Sequence, residues 1–221
     1  MSRTILIEKK ILEKNDVAAA RIRQKLIADN TVVVNIMSGP GAGKTTLLEE
    51  TVRRLAGKIN VGVIEGDIAT DNDARRVENA GAEWVVQINT GGACHLEAGM
   101  IERALEAAPR GMELLIIENV GNLVCPSSFD LGDDWKVVMA SVTEGLDKPK
   151  KYPGMYRKSH ALVLNKMDLA PYVNVSPDSF VKEALEVNPS LSVFLTAATK
   201  GDGVDEWCAW LASLKKRPAN A

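Results

Sequence analysis

The stretch "TVVVNIMSGPGAGKTTLLEE", residues 31–50, passes from a run of β-branched and apolar residues through a glycine-rich bend into strong helix formers. A buried strand, a tight loop and an amphipathic helix in that order make the first half of a βαβ unit. The same alternation continues outward. Further strand candidates are "INVGVIEG" (59–66), "WVVQIN" (84–89), "MELLIIEN" (112–119), "WKVVMASV" (135–142), "HALVLN" (160–165) and "LSVFLTAA" (191–198). Helical patterns fall at 45–56, 74–80, 95–108, 179–187 and 204–215. Several strands are apolar almost throughout, as strands covered on both faces must be. The expected fold is α/β, a mostly parallel sheet of about seven strands with helices on both sides.

The bend itself, "SGPGAGKTT" (Ser38 to Thr46), has the composition of a phosphate-binding loop. Gly39, Gly41 and Gly43, with Ala42, let the backbone curl so that successive N–H groups, including those of Thr45 and Thr46, point inward at phosphate oxygens. The helix start adds partial positive charge. Lys44 is placed to bridge the terminal phosphates, and the Thr45 hydroxyl to reach Mg²⁺. Ser38 stands where the motif usually begins with glycine, and its neighbour Gly39 keeps the loop flexible. The fold class sharpens accordingly to that of a P-loop NTPase.

Three acidic positions follow strands. Asp67 and Asp73 leave the second strand in "EGDIATDND", and Glu118 ends the fourth in "LLIIENVG". Asp67 and Glu118 are candidate Mg²⁺ ligands alongside Thr45, Asp67 and then Asp73 are candidates to orient the attacking water, and the Gly121 N–H is a candidate γ-phosphate sensor. Asp71 reads as a solvated loop carboxylate. The base is chosen by "LNKMDL": Asn165, Lys166 and Asp168 end a strand, where such sheets bind ligands. A carboxylate there accepts two hydrogen bonds from guanine N1 and N2, and adenine leaves it unpaired. "TAATKG" (196–201), with Ala198, has the form of the second base-contacting loop.

Three cysteines and two histidines are few, yet Cys94 and His95 adjoin in "NTGGACHLEAGM" (89–100), at the start of the helical pattern at 95–108. Cys125 follows Gly121 by four residues, on the segment that should respond to the γ-phosphate. A lone cysteine is ordinarily a small buried hydrophobe. Here all three donors follow strand ends on one side of the sheet, which favours a soft-metal site for Ni²⁺ or Zn²⁺. Both ions want four ligands, so a shared site at a two-fold axis would complete the set. Cys208 follows helical core spacing, and His160 has no evident partner.

Composition bounds the rest. With 221 residues, 46% hydrophobic, and a net charge of −2, the chain is long enough for a full core and lacks the basic excess of a nucleic-acid binder. No apolar run reaches the roughly 18 residues of a membrane span. With an odd cysteine count and no leader pattern at its start, the chain is expected in the cytoplasm. It reads as one G domain over residues 1–221. A helical extension at about 10–30 is expected to begin at cap residues Asn15 and Asp16. The longest irregular region, Thr143 to Ser159, reads as a basic loop, and 214–221 as a frayed end.

These motifs together resemble the HypB family of nickel-inserting GTPases, in the SIMIBI class of P-loop proteins. The resemblance runs from "NDVAAARIRQKL" through "EGDIATDNDARR", "CHLEA", "ENVGNLVCP" and "TEGLDKPKKYPGM" to "LNKMDLA". It implies GTP hydrolysis to GDP with Mg²⁺, a homodimer favoured by GTP and metal, and an interface site for nickel or zinc at Cys94, His95 and Cys125. It implies, too, a partner nickel chaperone and a hydrogenase large-subunit precursor as client. In this family the loop bearing Lys148 and Lys151 reaches the facing subunit's nucleotide, which marks Lys151 as cofactor-binding. The first ten residues hold no Cys or His, so the interface site would serve alone. Two alternatives stay open: a urease-type GTPase, disfavoured because that family carries Cys-Pro-His, and a GTP-gated metal switch with negligible turnover. A small-molecule kinase is disfavoured by the guanine loop.

Overall fold

The computed structural model describes residues 3–67 and 72–215, without the side chains of residues 3–9 and 72. Asp71 and residues 216–221 therefore lie outside the described residues. The elements are α1 (Arg3–Ala28), β1 (Val32–Ser38), α2 (Lys44–Leu55), β2 (Val61–Asp67), α3 (Asn72–Asn79), β3 (Trp84–Asn89), α4 (Ala98–Ala104), β4 (Leu114–Glu118), β5 (Trp135–Ser141), α5 (Lys148–Lys151), α6 (Pro153–Lys158), β6 (Ala161–Asn165), α7 (Pro177–Val187), β7 (Ser192–Leu195) and α8 (Val204–Ser213). All seven strands join one sheet in the order β3-β2-β4-β1-β5-β6-β7, and every pairing is parallel. The expected α/β sheet is thus present and wholly parallel.

Alternation along each strand divides the core between the two faces. From β1, Val34 and Ile36 pack with Leu47, Leu48 and Trp207 of α2 and α8. Val33 packs on the opposite face with Ile22 and Ile101 of α1 and α4, and Met37 with Tyr156 and Phe180 of α6 and α7. Trp207 is fully buried, and its Nε1 donates to Thr51 Oγ1 at 3.0 Å, fixing α8 against the helix that follows the phosphate loop. Burying a side chain of that size stabilises by roughly 1.5–3 kcal/mol. No helix of the described residues is long and apolar enough to cross a membrane.

The long N-terminal helix corrects one expectation. It runs through Asn15 and Asp16 instead of starting there, and Ala18, Ala19, Ile22 and Leu26 form its buried stripe. Asn15 still caps a helix, but a distant one. Its Oδ1 accepts from the Ala98 N–H at 2.8 Å at the start of α4, and its Nδ2 donates to the Asp130 carbonyl at 2.7 Å. Glu97, at the N-cap of α4, makes no side-chain cap bond, so Asn15, 83 positions before Ala98, supplies it. Asn15→Ala should cost about 1–3 kcal/mol, read as a lower urea midpoint with unchanged slope, because the buried Ala98 N–H and Asp130 carbonyl each lose a partner.

Two further expectations change. The region 143–159 is not irregular: a short 3-10 turn, α5 and α6 occupy it, and Met155 and Tyr156 anchor it in the core. The helix expected from His95 begins at Ala98 and ends in a 3-10 turn at Leu105–Ala107. Cys94 and His95 thus sit in the loop before it, where side-chain direction is free of the helical period.

Candidate functional site

The C-terminal ends of β1, β2 and β4 open onto a cleft of about 500 Å³, whose lining includes Gly41, Gly43, Lys44, Thr45, Thr46, Asp67, Asp73, Glu118 and Gly121. The sequence-derived phosphate, acidic and sensor residues are therefore brought to one place. Gly43 has φ +95°, and a Cβ there would lie 2.6 Å from Asn165 Nδ2, so both conformation and space demand glycine. Gly121 also lies close against the loop, since a Cβ would meet Pro40 Cα at 3.1 Å.

Inside the cleft, Lys44 Nζ donates to Ser38 Oγ at 2.9 Å and lies 3.8 Å from Glu118 Oε1. Thr45 Oγ1 donates to the same Glu118 oxygen at 3.3 Å. Glu118 Oε2 is buried without a hydrogen-bond partner among the described residues. A hydroxyl and an orphaned carboxylate oxygen converging below a phosphate loop fit a hard cation such as Mg²⁺, which takes oxygen ligands. Asp67 ends β2 beside Asn89, and Asp73 pairs with Arg76 at 3.0 Å.

Two cleft residues were not anticipated. Glu65 stands opposite Glu118 in the β2–β4 register and is 2% exposed. Burial, and then the facing Glu118, push its carboxyl well above the usual carboxylate range. Burial raises Glu118 too, with Lys44 opposing. The signal was available, because Glu65 lies two residues before Asp67 and so shares its strand face. Arg76 of α3 reaches Glu49 at 2.7 Å and Thr46 Oγ1 at 3.3 Å, and lines the cleft.

A prediction follows from the carboxyl pair. A carboxyl whose folded pKa is raised makes the folded state bind more protons, so stability falls as pH rises through the window from the unfolded value of about 4.5 to the folded one. In Mg²⁺-free buffer, Glu65→Gln should remove this slope: its melting temperature should exceed that of the wild type at about pH 8 and converge with it near pH 4. Parallel melting curves across pH would contradict the assignment.

The segment expected to recognise the base is clamped to the phosphate loop. Asn165 Nδ2 donates to the Ala42 carbonyl at 3.0 Å, while its Oδ1 accepts from Thr196 Oγ1 and from the Ala198 N–H at 3.0 and 3.1 Å. Lys166, with φ +62°, lies along the loop and donates to the Gly41 carbonyl at 2.6 Å. Asp168 lies in the first turn of the 3-10 helix Met167–Tyr172 and is half-buried. Lys151 lies on α5, outside the cleft lining, with Nζ 5.8 Å from the Tyr152 ring centroid. Glu144 also borders the loop, 3.4 Å from where a Gly39 Cβ would stand.

The soft donors also converge. Cys94 Sγ is 3.1 Å from Cys125 Sγ and 3.7 Å from His95 Nδ1, and all three residues offer ligand atoms within 4.8 Å of one another. The His95 ring stacks on Phe129 with centroids 3.8 Å apart, a contact sequence spacing did not reveal. Burial lowers the His95 pKa, with Glu97 partly opposing, a shift in the direction of the neutral ring that a ligand requires. Two thiols and an imidazole suit Zn²⁺ or Ni²⁺ and leave a fourth position unfilled. The remaining soft side chains are structural in placement: Cys208 is buried on α8, and His160 Nδ1 accepts from the Lys136 N–H at 2.9 Å, a partner its sequence context did not suggest.

Comparison with known proteins identifies the family. Residues 32–194 match the family model described as "CobW/HypB/UreG, nucleotide-binding domain". The hydrogenase maturation factor HypB of Escherichia coli K12 is 47% identical over 213 residues, covering 95% of this chain and 72% of that protein. The hydrogenase/urease maturation factor HypB of Helicobacter pylori 26695 is 38% identical, covering 96% and 88%. A crystal structure of HypB from Helicobacter pylori in complex with nickel superposes with a TM-score of 0.86 at 36% identity, covering 94% of this chain and 99% of that one. With its parallel sheet, phosphate loop and guanine-type segment, the chain belongs to the CobW/HypB/UreG family and, within it, to the HypB group of P-loop GTPases.

Proposed function

We propose that this protein is a GTP-hydrolysing metallochaperone, which carries nickel at a site shared by two copies of the chain and assists nickel insertion during [NiFe]-hydrogenase maturation. The observation that carries the proposal is that Cys125 lies four residues past Gly121 on one segment, with Gly121 in the nucleotide cleft and Cys125 touching Cys94. The names of the relatives, hydrogenase maturation factors and a nickel complex, support the client and the metal.

In this reading the phosphate-loop N–H groups and Lys44 hold the triphosphate, and Asp168 with Asn165 selects guanine. Thr45, Glu118 and Asp67 hold Mg²⁺, which supplies charge neutralisation on the phosphates when bound. Asp67, or Asp73 beside it, orients the attacking water. A γ-phosphate would draw the Gly121 N–H toward it and shift Cys125 with it. Each copy supplies Cys94, His95 and Cys125 as half of a site, and Lys151 faces the other copy's nucleotide. Zinc meets the same donors, and the Helicobacter relative's name extends the range of clients to urease.

Phosphate release from GTP, compared with ATP under the same conditions, tests the enzymatic half of this account. GTP turnover above the buffer rate, with ATP far slower, is expected. GTP bound without turnover would leave a metal-gated switch in its place.

A further inference from the structure

Asn119 lies between Glu118 and Gly121 and is 1% exposed at the edge of the nucleotide cleft. Its Oδ1 accepts from two backbone N–H groups, Val120 at 2.9 Å and Leu96 at 3.3 Å. Its Nδ2 donates to Asn35 Oδ1 on β1 at 3.3 Å, and its own N–H donates to the Ile36 carbonyl at 3.0 Å. Leu96 is the residue after His95. One buried amide therefore touches the start of the γ-phosphate-facing segment and the backbone that carries two of the three soft donors.

The segment beyond it is braced as a unit. Asn122 Oδ1 accepts from the Val124 N–H at 2.7 Å and from the Cys125 N–H at 3.3 Å, which ties the turn after Gly121 to the third donor. The hydrogen bonds thus form one connected path from Gly121 through the braced turn to Cys125, and through Asn119 to Leu96, the residue after His95.

We propose that Asn119 is the positioning residue through which nucleotide state sets metal affinity, its side-chain amide locking the Cys94–His95 loop to the segment that bears Gly121 and Cys125. The proposal rests on the reading of Cys94, His95 and Cys125 as a nickel site that responds to GTP. The asparagine amide accepts from two N–H groups at its oxygen and donates onward to Asn35 from its nitrogen; alanine leaves the Leu96 N–H without its acceptor. Because Asn119 is not itself a donor to the metal, its removal leaves all three ligands in place and changes how their geometry follows the nucleotide.

The test is nickel titration of the wild type and of Asn119→Ala, each held with a non-hydrolysable GTP analogue and then with GDP. Coupling of ordinary size gives the wild type a ratio of affinities of about 5- to 150-fold between the two states. Asn119→Ala should bring that ratio to near one while still binding nickel. A purely structural role would weaken nickel binding equally in both states and keep the ratio, and that result would overturn the proposal. A wild-type ratio of one would instead defeat the underlying reading, and the proposal with it. If Asn119→Ala shows no cooperative thermal transition, Asn119→Ser, whose hydroxyl is too short to reach Leu96, is judged by the same ratio.

Discussion

Lys44→Ala should lower the rate of GTP hydrolysis by about 10³-fold or more, with a smaller loss of nucleotide affinity. The ammonium is buried, 2.9 Å from Ser38 Oγ and 3.8 Å from Glu118 Oε1, at the mouth of the phosphate loop. Charge builds on the phosphoryl oxygens and leaving group as the bond breaks, so a fixed cation there counts for more in the transition state than in the ground state. The backbone N–H groups of the loop survive the substitution and keep a share of binding. Single-turnover phosphate release alongside nucleotide titration separates the two effects. A rate within a few-fold of the wild type would remove Lys44 from the chemistry.

Joint replacement Cys94→Ala and Cys125→Ala should abolish specific nickel binding, a loss of at least about 10³-fold. Changes to groups that merely orient ligands already cost about 10–100-fold, and here two thiolates go together. His95, stacked on Phe129, would be left with the carboxylate of Glu97 3.8 Å away. Neither cysteine lines the nucleotide cleft, so GTP affinity in metal-free buffer should be unchanged. Chelator competition for nickel reads the first effect and nucleotide titration the second. Nickel affinity retained within a few-fold would place the metal elsewhere.

Local rules made much of the fold legible. The phosphate loop, the apolar strands and the carboxylates at strand ends each announce themselves within ten residues. What escaped depends on contacts between distant segments. Glu65 goes unnoticed within its strand, and only the β2–β4 register sets it against Glu118. Asn15 carried the correct capping chemistry, but its partner, Ala98, lies across the fold. Residues 143–159 have two prolines and a basic bias, which suggest a loop; burial of Met155 and Tyr156 overrides that tendency and forms two short helices. The candidate soft donors are picked out by residue type and by their position after strands. Phe129, which stacks on His95, carries no local motif, and Asn119 sits within "ENVGNLVCP" without its contacts to Leu96 and Asn35 showing there.

Linkage between nucleotide and metal sites, as proposed, is necessarily reciprocal. Affinity for a non-hydrolysable GTP analogue, measured with and without saturating nickel at fixed protein concentration, tests it most directly. Nickel should tighten analogue binding by the same factor by which the analogue, relative to the nucleotide-free protein, tightens nickel. Analogue affinity that is indifferent to nickel, at concentrations where the metal is bound, would contradict it.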